Sequence, residues 1–465
     1  MLFNSVNFVV FFALVLAAYW VLPMRWQNRL LLVASYFFYG CWDWRFLALI
    51  WFSSTVDYLV APRIRASDGP GKKRWLAVSL VTNLGILGLF KYFNFFSDSA
   101  VDLLNALGFE ASYTTLRIVL PVGISFYTFQ TMSYSVDVYR GHVEPSRNYF
   151  RYLLYVSFFP QLVAGPIERA SHLLGQFDRR RSVHWGHIRE GAWLILLGYF
   201  KKVVMADNLA LFVDDVFNRP AEAQGLSILV AIFAFCFQIY GDFSGYSDLA
   251  RGTSRLLGFD LMVNFRLPNF ALTPADYWRR WHISLSTWLR DYLYIPLGGN
   301  RNGNQDMYRN ITITMLLGGL WHGAAWNFIA WGAFQCALLI VYRMFNPFVS
   351  GWLKRGVGHR LWAMLVFFLL NSFARLLFRA NQMADVPVLL RGIFDWAWNG
   401  KLALLSLFVF VTPLLLLEIA QERSGDLLVV KRWPPAARLL VYAAMVALIL
   451  LTGAVSQRQF IYFQF

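Results

Sequence analysis

The chain is short of charge, of cysteine and of the common nucleotide and metal motifs, and each shortage narrows what it can be. Only 15% of its 465 residues are Asp, Glu, Lys or Arg, whereas a soluble protein carries about a quarter. A set of soluble domains is therefore excluded. The three cysteines, Cys41, Cys236 and Cys336, are odd in number and have no CxxC spacing, so they indicate neither a disulfide framework nor a zinc site and read as packing residues. There is no HExxH, no P-loop and no GxGxxG, and His184 and His187 stand in a basic loop without a carboxylate or Cys at ligand spacing. No metal is expected. The N-terminus lacks the basic n-region and small-residue cleavage site of a signal peptide, so it reads as a retained first span. Internal repeats, low-complexity tails and Gly/Ser linkers are missing too, and the simplest organisation is one membrane domain over 1–465.

What the chain does have is apolar and aromatic surface. Hydrophobic residues make up 58%, with 19 Trp, 22 Tyr and 43 Phe, and amphipathic rings collect at the two interfaces of a bilayer. The fold class is an all-α polytopic integral membrane protein. Its formal charge of +16 would suggest nucleic acid if the cations formed one soluble face, but they lie between apolar runs. Positive-inside topology accounts for them, and no nucleic-acid partner is expected.

A spanning helix needs about 20 mostly apolar residues. Residues 5–23 meet this, with the N-terminus outside and Arg25 and Arg29 inside. Residues 30–42 and 46–62 read as a hairpin broken at Asp43, Trp44 and Arg45, and 63–74, with five basic residues against one acid, as a cytoplasmic loop. Residues 75–96 cross outward, 97–116 form an exposed amphipathic or loop segment, and 118–136 return to a basic end at Arg140, Arg147 and Arg151. The run 152–167 contains Pro160 and Pro166 and has basic residues on both sides. It reads as re-entrant or interfacial, which requires protein or water to cover its backbone. Lys201 and Lys202 interrupt the apolar stretch 188–217. Further spans are expected at 223–241, over 310–342 divided near Gly323 to Ala325, and at 361–378, 402–417 and 439–457. The total is about ten or eleven crossings. GDFSGYSD, 241–248, fails the spacing of a serine elbow, because Asp242 stands where Gly is needed, and points to polar pairing through Asp242 and Asp248.

The stretch 276–323 stands out, because two of only seven histidines lie in its Trp-rich, apolar sequence. An ionisable ring in such surroundings is costly, and its two nitrogens suit proton transfer. The first half, DYWRRWHISLSTWLRDYLY, reads as a helix or broken helix with His282 and Ser286 on one face. It either lines a cavity within protein or lies as an amphipathic elbow at the interface. In the second half, GGLWHGAAWN, the glycines Gly318, Gly319 and Gly323 allow close backbone approach around His322. The alternative for His322 is a core histidine donating to a carbonyl one turn away. Among 33 otherwise uncharged residues, 310–342, the functional reading is the stronger.

YWRRWHISLSTWLRDYLYIPLGGNR (277–301) and LLGGLWHGAAWNFIAWG (316–332) closely resemble the membrane-bound O-acyltransferase family, in its bacterial polysaccharide branch. The resemblance extends through LLLVASYFFYGCWDWRFL (30–47), LPVGISFYTFQTMSYSVDVYRG (120–141), FFPQLVAGPIER (158–169), FKKVVMADNLA (200–210), YGDFSGYSDLARG (240–252) and the terminal YFQF. It implies helices and re-entrant segments around a central tunnel, with acyl transfer from a cytoplasmic thioester to a hydroxyl. His322 corresponds to the family's invariant histidine and is expected to be the general base. His282 takes a second signature position, often Asn or Asp elsewhere, and would polarise the thioester carbonyl or orient the acceptor. Arg279, Arg280 and Arg290 are candidates for the donor's phosphates. Trp278, Trp281, Ser286, Trp321 and Asn327 are candidates for the donor site or tunnel wall. The implied activity is O-acetylation of an exopolysaccharide, alginate or cellulose, at the inner membrane from acetyl-CoA, directly or through a periplasmic SGNH-type partner beside a polysaccharide synthase complex. A lipid or protein acceptor, a transporter and a secretion-complex scaffold are the competing readings. The lack of repeated halves counts against a transporter.

Overall fold

A computed structural model of the chain describes residues 1–113, 116–163, 165–182, 184–395, 397, 400–453 and 460–461. The described residues are helical and contain no strand, as the all-α reading requires. The terminal YFQF and residues 454–457 of the last expected span lie outside them. The chain divides into two compact units, Met1–His187 with Thr253–Met262, and Ile188–Gly252 with Val263–Phe465.

The first unit begins with α1 (Val6–Val21), whose first turn is capped by the Ser5 hydroxyl accepting from the Phe8 N–H at 3.2 Å. Helices α2 (Met24–Asp43) and α3 (Leu47–Ala66) form the expected hairpin. Its turn is a single 3-10 segment at Trp44–Phe46, where Arg45 pairs with Asp43. The helical run α4 (Gly69–Ala106) is continuous. Of the segment read as exposed amphipathic or loop, 97–106 is helical and continues the span through a wider π-turn at Gly88–Tyr92. Helix α5 (Ile124–Arg140) lies between Gly123 and Gly141, both in the left-handed region. Asp57 of α3 is fully buried and accepts from Ser79 and Asn83 of α4 and Ser135 of α5, so its charge is met by three donors from two neighbouring helices. Helix α6 (Tyr149–Ser157) breaks at Phe158, and its backbone from Tyr152 to Leu162 is buried. Protein therefore covers the segment read as re-entrant.

In the second unit, α7 (Trp185–Tyr199) leads through a π-turn at Phe200–Ala206 into α8 (Asp207–Asn218). Helix α9 (Leu226–Leu256) does not end at 241 but runs on through GDFSGYSD. It can do so because the acids are neutralised inside the unit. Lys202 pairs with Asp242 at 2.6 Å and Asp207 at 2.8 Å, and Lys201 pairs with Asp248 at 2.8 Å. That is the polar pairing expected of Asp242 and Asp248. Short helices α10 (Pro274–Arg280) and α11 (Ile283–Leu289) follow, then α12 (Asn304–His322) and α13 (Trp326–Leu353), which divide at 323–325 as expected. Helices α14 (Val357–Arg379), α15 (Lys401–Ser424) and α16 (Pro435–Thr452) complete the unit.

Among the described residues six helices, α4, α9 and α13 to α16, are long and apolar enough to cross a membrane by length and composition. The count of ten or eleven drawn from the sequence also includes shorter or more polar helices such as α1, with 16 residues, and α5, with 17.

Helices α12 and α13 touch backbone to backbone. A Cβ added at Gly319 would lie 2.3 Å from the Phe328 carbonyl oxygen, and one at Gly332 2.5 Å from that of Met315. Gly318 faces only a Leu289 methyl, at 3.3 Å. Gly319→Ala should therefore destabilise the solubilised protein by about 1–3 kcal/mol, with Gly318→Ala costing clearly less. Thermal unfolding in detergent compares them, and equal midpoints would contradict the contact.

Candidate functional site

His282 is placed by a break in the chain. Thr273 caps α10 by accepting from the Asp276 N–H at 3.1 Å, with Pro274 set for the first turn. The helix stops at Trp281, and His282 takes φ +42°, ψ +55° before α11 begins. A left-handed non-glycine residue costs about 1–3 kcal/mol and persists only where its surroundings fix it. Here Asn264 does so. Its Oδ1 lies 3.2 Å from His282 Nδ1, 3.2 Å from the Ser284 N–H and 2.9 Å from the Ser284 hydroxyl, while its Nδ2 donates to Ser247. The Ser284 backbone can only donate, so the Asn264 oxygen is the acceptor, and the network assigns the proton to Nδ1 of His282. A neutral His282 then carries its lone pair on Nε2. The ring is fully buried, with Phe243 packed edge-on at 4.5 Å. Burial pushes its pKa down to about 3 from the ordinary 6.5.

His322 ends α12, and Gly323 follows it in an extended conformation. A Cβ at Gly323 would strike the Phe328 ring at 2.1 Å, so glycine is required for α13 to turn back this closely. The imidazole is buried among Trp331 at 4.9 Å, Phe378 of α14 at 5.3 Å and Trp321 at 5.0 Å. Trp321 also meets His282, at 5.9 Å. Two histidines 40 positions apart thus pack on one indole.

The other candidates fall into three groups. Trp278 meets Trp331 at 6.0 Å, and Trp281 stacks on Tyr277 at 5.6 Å, so both belong to the aromatic shell of the histidines. Arg279 and Arg290 are exposed, and each pairs with a neighbouring acid, Asp276 and Asp291 respectively. Arg280 is held by Asp276 and, through two nitrogens, by Glu422 of α15 at 2.9 and 3.0 Å. Ser286 donates to the Trp281 carbonyl and Asn327 to the Ala380 carbonyl, contacts that shape the chain turns. Sequence reasoning missed Asn264, Phe243, Phe378 and Arg375. Only Arg375 left a signal, as an arginine inside an apolar span. Among the described residues no group of three His, Cys, Asp or Glu side chains comes together as a metal ion would need.

The membrane-bound O-acyltransferase family matches residues 76–380. The chain is 44% identical over 346 residues to a probable alginate O-acetylase of Azotobacter vinelandii, covering 74% of this chain and 69% of that one. It is 40% identical over 386 residues to the probable alginate O-acetylase of Pseudomonas aeruginosa, with coverage of 82% and 73%. A peptidoglycan O-acetyltransferase of Helicobacter pylori is 34% identical over 426 residues, with coverage of 84% and 80%.

The buried ring of His282 has a pH signature. Its folded pKa is depressed, so the unfolded chain binds the extra proton between pH 6.5 and about 3. Stability should fall as pH drops through that window, by at most about 1.4 kcal/mol per unit from this group. His282→Asn should flatten that part of the curve, measured as unfolding midpoint against pH. An unchanged slope would mean that the ring is charged in the fold.

Proposed function

The chain belongs to the membrane-bound O-acyltransferase family and is a multi-pass membrane acyltransferase, and on that footing we propose that it takes acetyl from cytoplasmic acetyl-CoA for O-acetylation of an exopolysaccharide beyond the bacterial inner membrane. The observation that carries this reading is the pairing of His322 and His282 on one indole within a buried aromatic shell. A hydroxyl attacks a thioester slowly until a base takes its proton, and an imidazole sealed from bulk water is suited to that work.

In the proposed step His322 accepts the proton of the acceptor hydroxyl. The hydroxyl oxygen bonds to the thioester carbonyl carbon, the carbon–sulfur bond breaks, and the coenzyme A thiolate leaves and recovers a proton. Of the two roles implied for His282, orienting the acceptor is the better supported. With its Nδ1 proton given to Asn264, the neutral ring offers a lone pair that accepts from a hydroxyl, not a proton for a carbonyl oxygen.

Arg280 is already tied to Glu422, so the donor's phosphates fall to the exposed Arg279 and Arg290 at the entrance of the proposed tunnel. The acetyl group passes to a sugar hydroxyl directly or by way of an SGNH-type periplasmic partner working beside the polysaccharide synthase complex, with the N-terminus of the acyltransferase on the periplasmic side. Alginate is the acceptor favoured by the relatives in Azotobacter and Pseudomonas. The peptidoglycan relative supports a second reading, in which the acceptor is the cell-wall glycan.

Proteoliposomes given radiolabelled acetyl-CoA and alginate or peptidoglycan fragments test this directly. His322→Ala should lower acetyl transfer about 10²–10⁴-fold, the usual worth of a general base. Undiminished transfer by this variant would overturn the role. For His282, Asn and Ala variants separate the possibilities. An amide oxygen also accepts, so His282→Asn should retain several-fold more activity than His282→Ala, and equal loss would exclude simple orientation.

A further inference from the structure

Arg375 lies in the spanning helix α14 and is 2% exposed. No Asp or Glu among the described residues pairs with it. Its guanidinium makes one hydrogen bond, to the Tyr277 hydroxyl, and sits 4.2 Å from the Trp281 ring centroid. An arginine has five N–H donors in a planar fork, so most of this one's donors are unused. The contrast within the unit is sharp. The other buried cations, Lys201, Lys202 and Arg379, are each within 2.9 Å of a carboxylate. Burying a charge without a counter-charge is costly, and one aromatic face offsets only part of that cost.

The position of this charge matters. Trp281, on which it stacks, immediately precedes His282. Phe378, whose ring centroid is 6.0 Å from the guanidinium, packs on His322 at 5.3 Å and on Trp331 at 5.5 Å. Two further donors in this shell, the indole N–H groups of Trp278 and Trp331, are buried and have no hydrogen-bond partner among the described residues. On the acceptor side stand Oε1 of Gln335, which has no partner among the described residues, and the lone pair of a neutral His282, fewer than the donors facing them. The shell around the histidines holds a net positive charge and a surplus of donors, and an oxyanion would correct both.

We propose that Arg375 is an anion-binding residue of the reaction site, there to hold an oxyanion of the reacting substrates. The inference rests on the acyl-transfer reading of the site. Two sources share this chemistry: the oxygen of the thioester carbonyl, which becomes negative as the hydroxyl adds, and a fixed anionic group on the donor. The first requires charge only in the transition state and so acts on kcat. The second is present in the ground state and acts on KM.

Purified protein in proteoliposomes, compared as wild type, Arg375→Lys and Arg375→Met, tests the proposal. Monodispersity and thermal unfolding establish folding, with Arg375→Gln in place of Met if that variant fails to fold. Arg375→Met should lose on the order of 10²-fold, while Arg375→Lys, which keeps the charge, should stay within about tenfold of wild type. Loss in kcat identifies the developing oxyanion, and a raised KM for acetyl-CoA identifies the fixed group. A second readout needs no turnover. Nitrate, a planar oxyanion, should raise the unfolding temperature of the wild type and of Arg375→Lys more than that of Arg375→Met. If wild type transfers no acetyl group but the nitrate difference stands, the acyl-transfer reading falls and the anion site survives. If folded Lys and Met variants transfer equally and respond equally to nitrate, Arg375 is a packing residue and the proposal is wrong.

Discussion

The close approach of α12 and α13 is the constraint on which the rest of the site depends. With Gly319 set against Gly332 and Gly323 under the Phe328 ring, the two backbones leave no room for a side chain between them. The chain can therefore stop a helix at His322 and start the next one four residues later, at Trp326. That geometry puts Trp331 and Phe378 against the imidazole and turns Trp321 toward His282. A looser hairpin would admit lipid or water around His322, and the imidazole would lose its enclosed setting.

The second organising feature is how polar groups are held in an apolar protein. Most buried charges are neutralised locally: Asp57 by hydroxyls and an amide, Lys202 by two aspartates, Arg379 by Asp214. These arrangements fix helices against one another and explain why polar stretches such as GDFSGYSD continue a helix. The histidine shell departs from that pattern. Among the described residues it holds a cation without a carboxylate, indole donors without acceptors and a histidine in a strained backbone conformation. Features that cost stability and gather in one place are the ones the proposed chemistry would use.

Much of the fold was legible in the sequence, because apolar length, glycine and charge placement act locally. The hairpin at Asp43–Arg45, the division of 310–342 at Gly323 and the close packing of Gly319 all follow from such signals. The continuation of α9 beyond Tyr240 did not, since it depends on Lys201 and Lys202 arriving from 40 residues earlier. For 97–106 the sequence left an amphipathic segment and a loop open, and the chain is helical there. At the site, His282 and His322 could be read from the cost of an imidazole in apolar sequence. Asn264 could not, because an asparagine in a loop looks like any other until the fold brings it to His282. Nor could the partner of Arg280, a candidate for the donor's phosphates, be read from the sequence: Glu422 lies 142 positions away.

The central claim is that acyl transfer takes place at His322, and the most direct measurement is the position of the donor. A cryo-electron microscopy structure with an unreactive acetyl-CoA thioether analogue would locate the acetyl carbonyl. A hydroxyl held between base and carbonyl implies two contacts of about 3 Å each. The carbonyl carbon should therefore lie within about 6 Å of the His322 ring, with room for an acceptor oxygen between them. Density for the acetyl group in another compartment of the protein, out of reach of both histidines, would contradict the account.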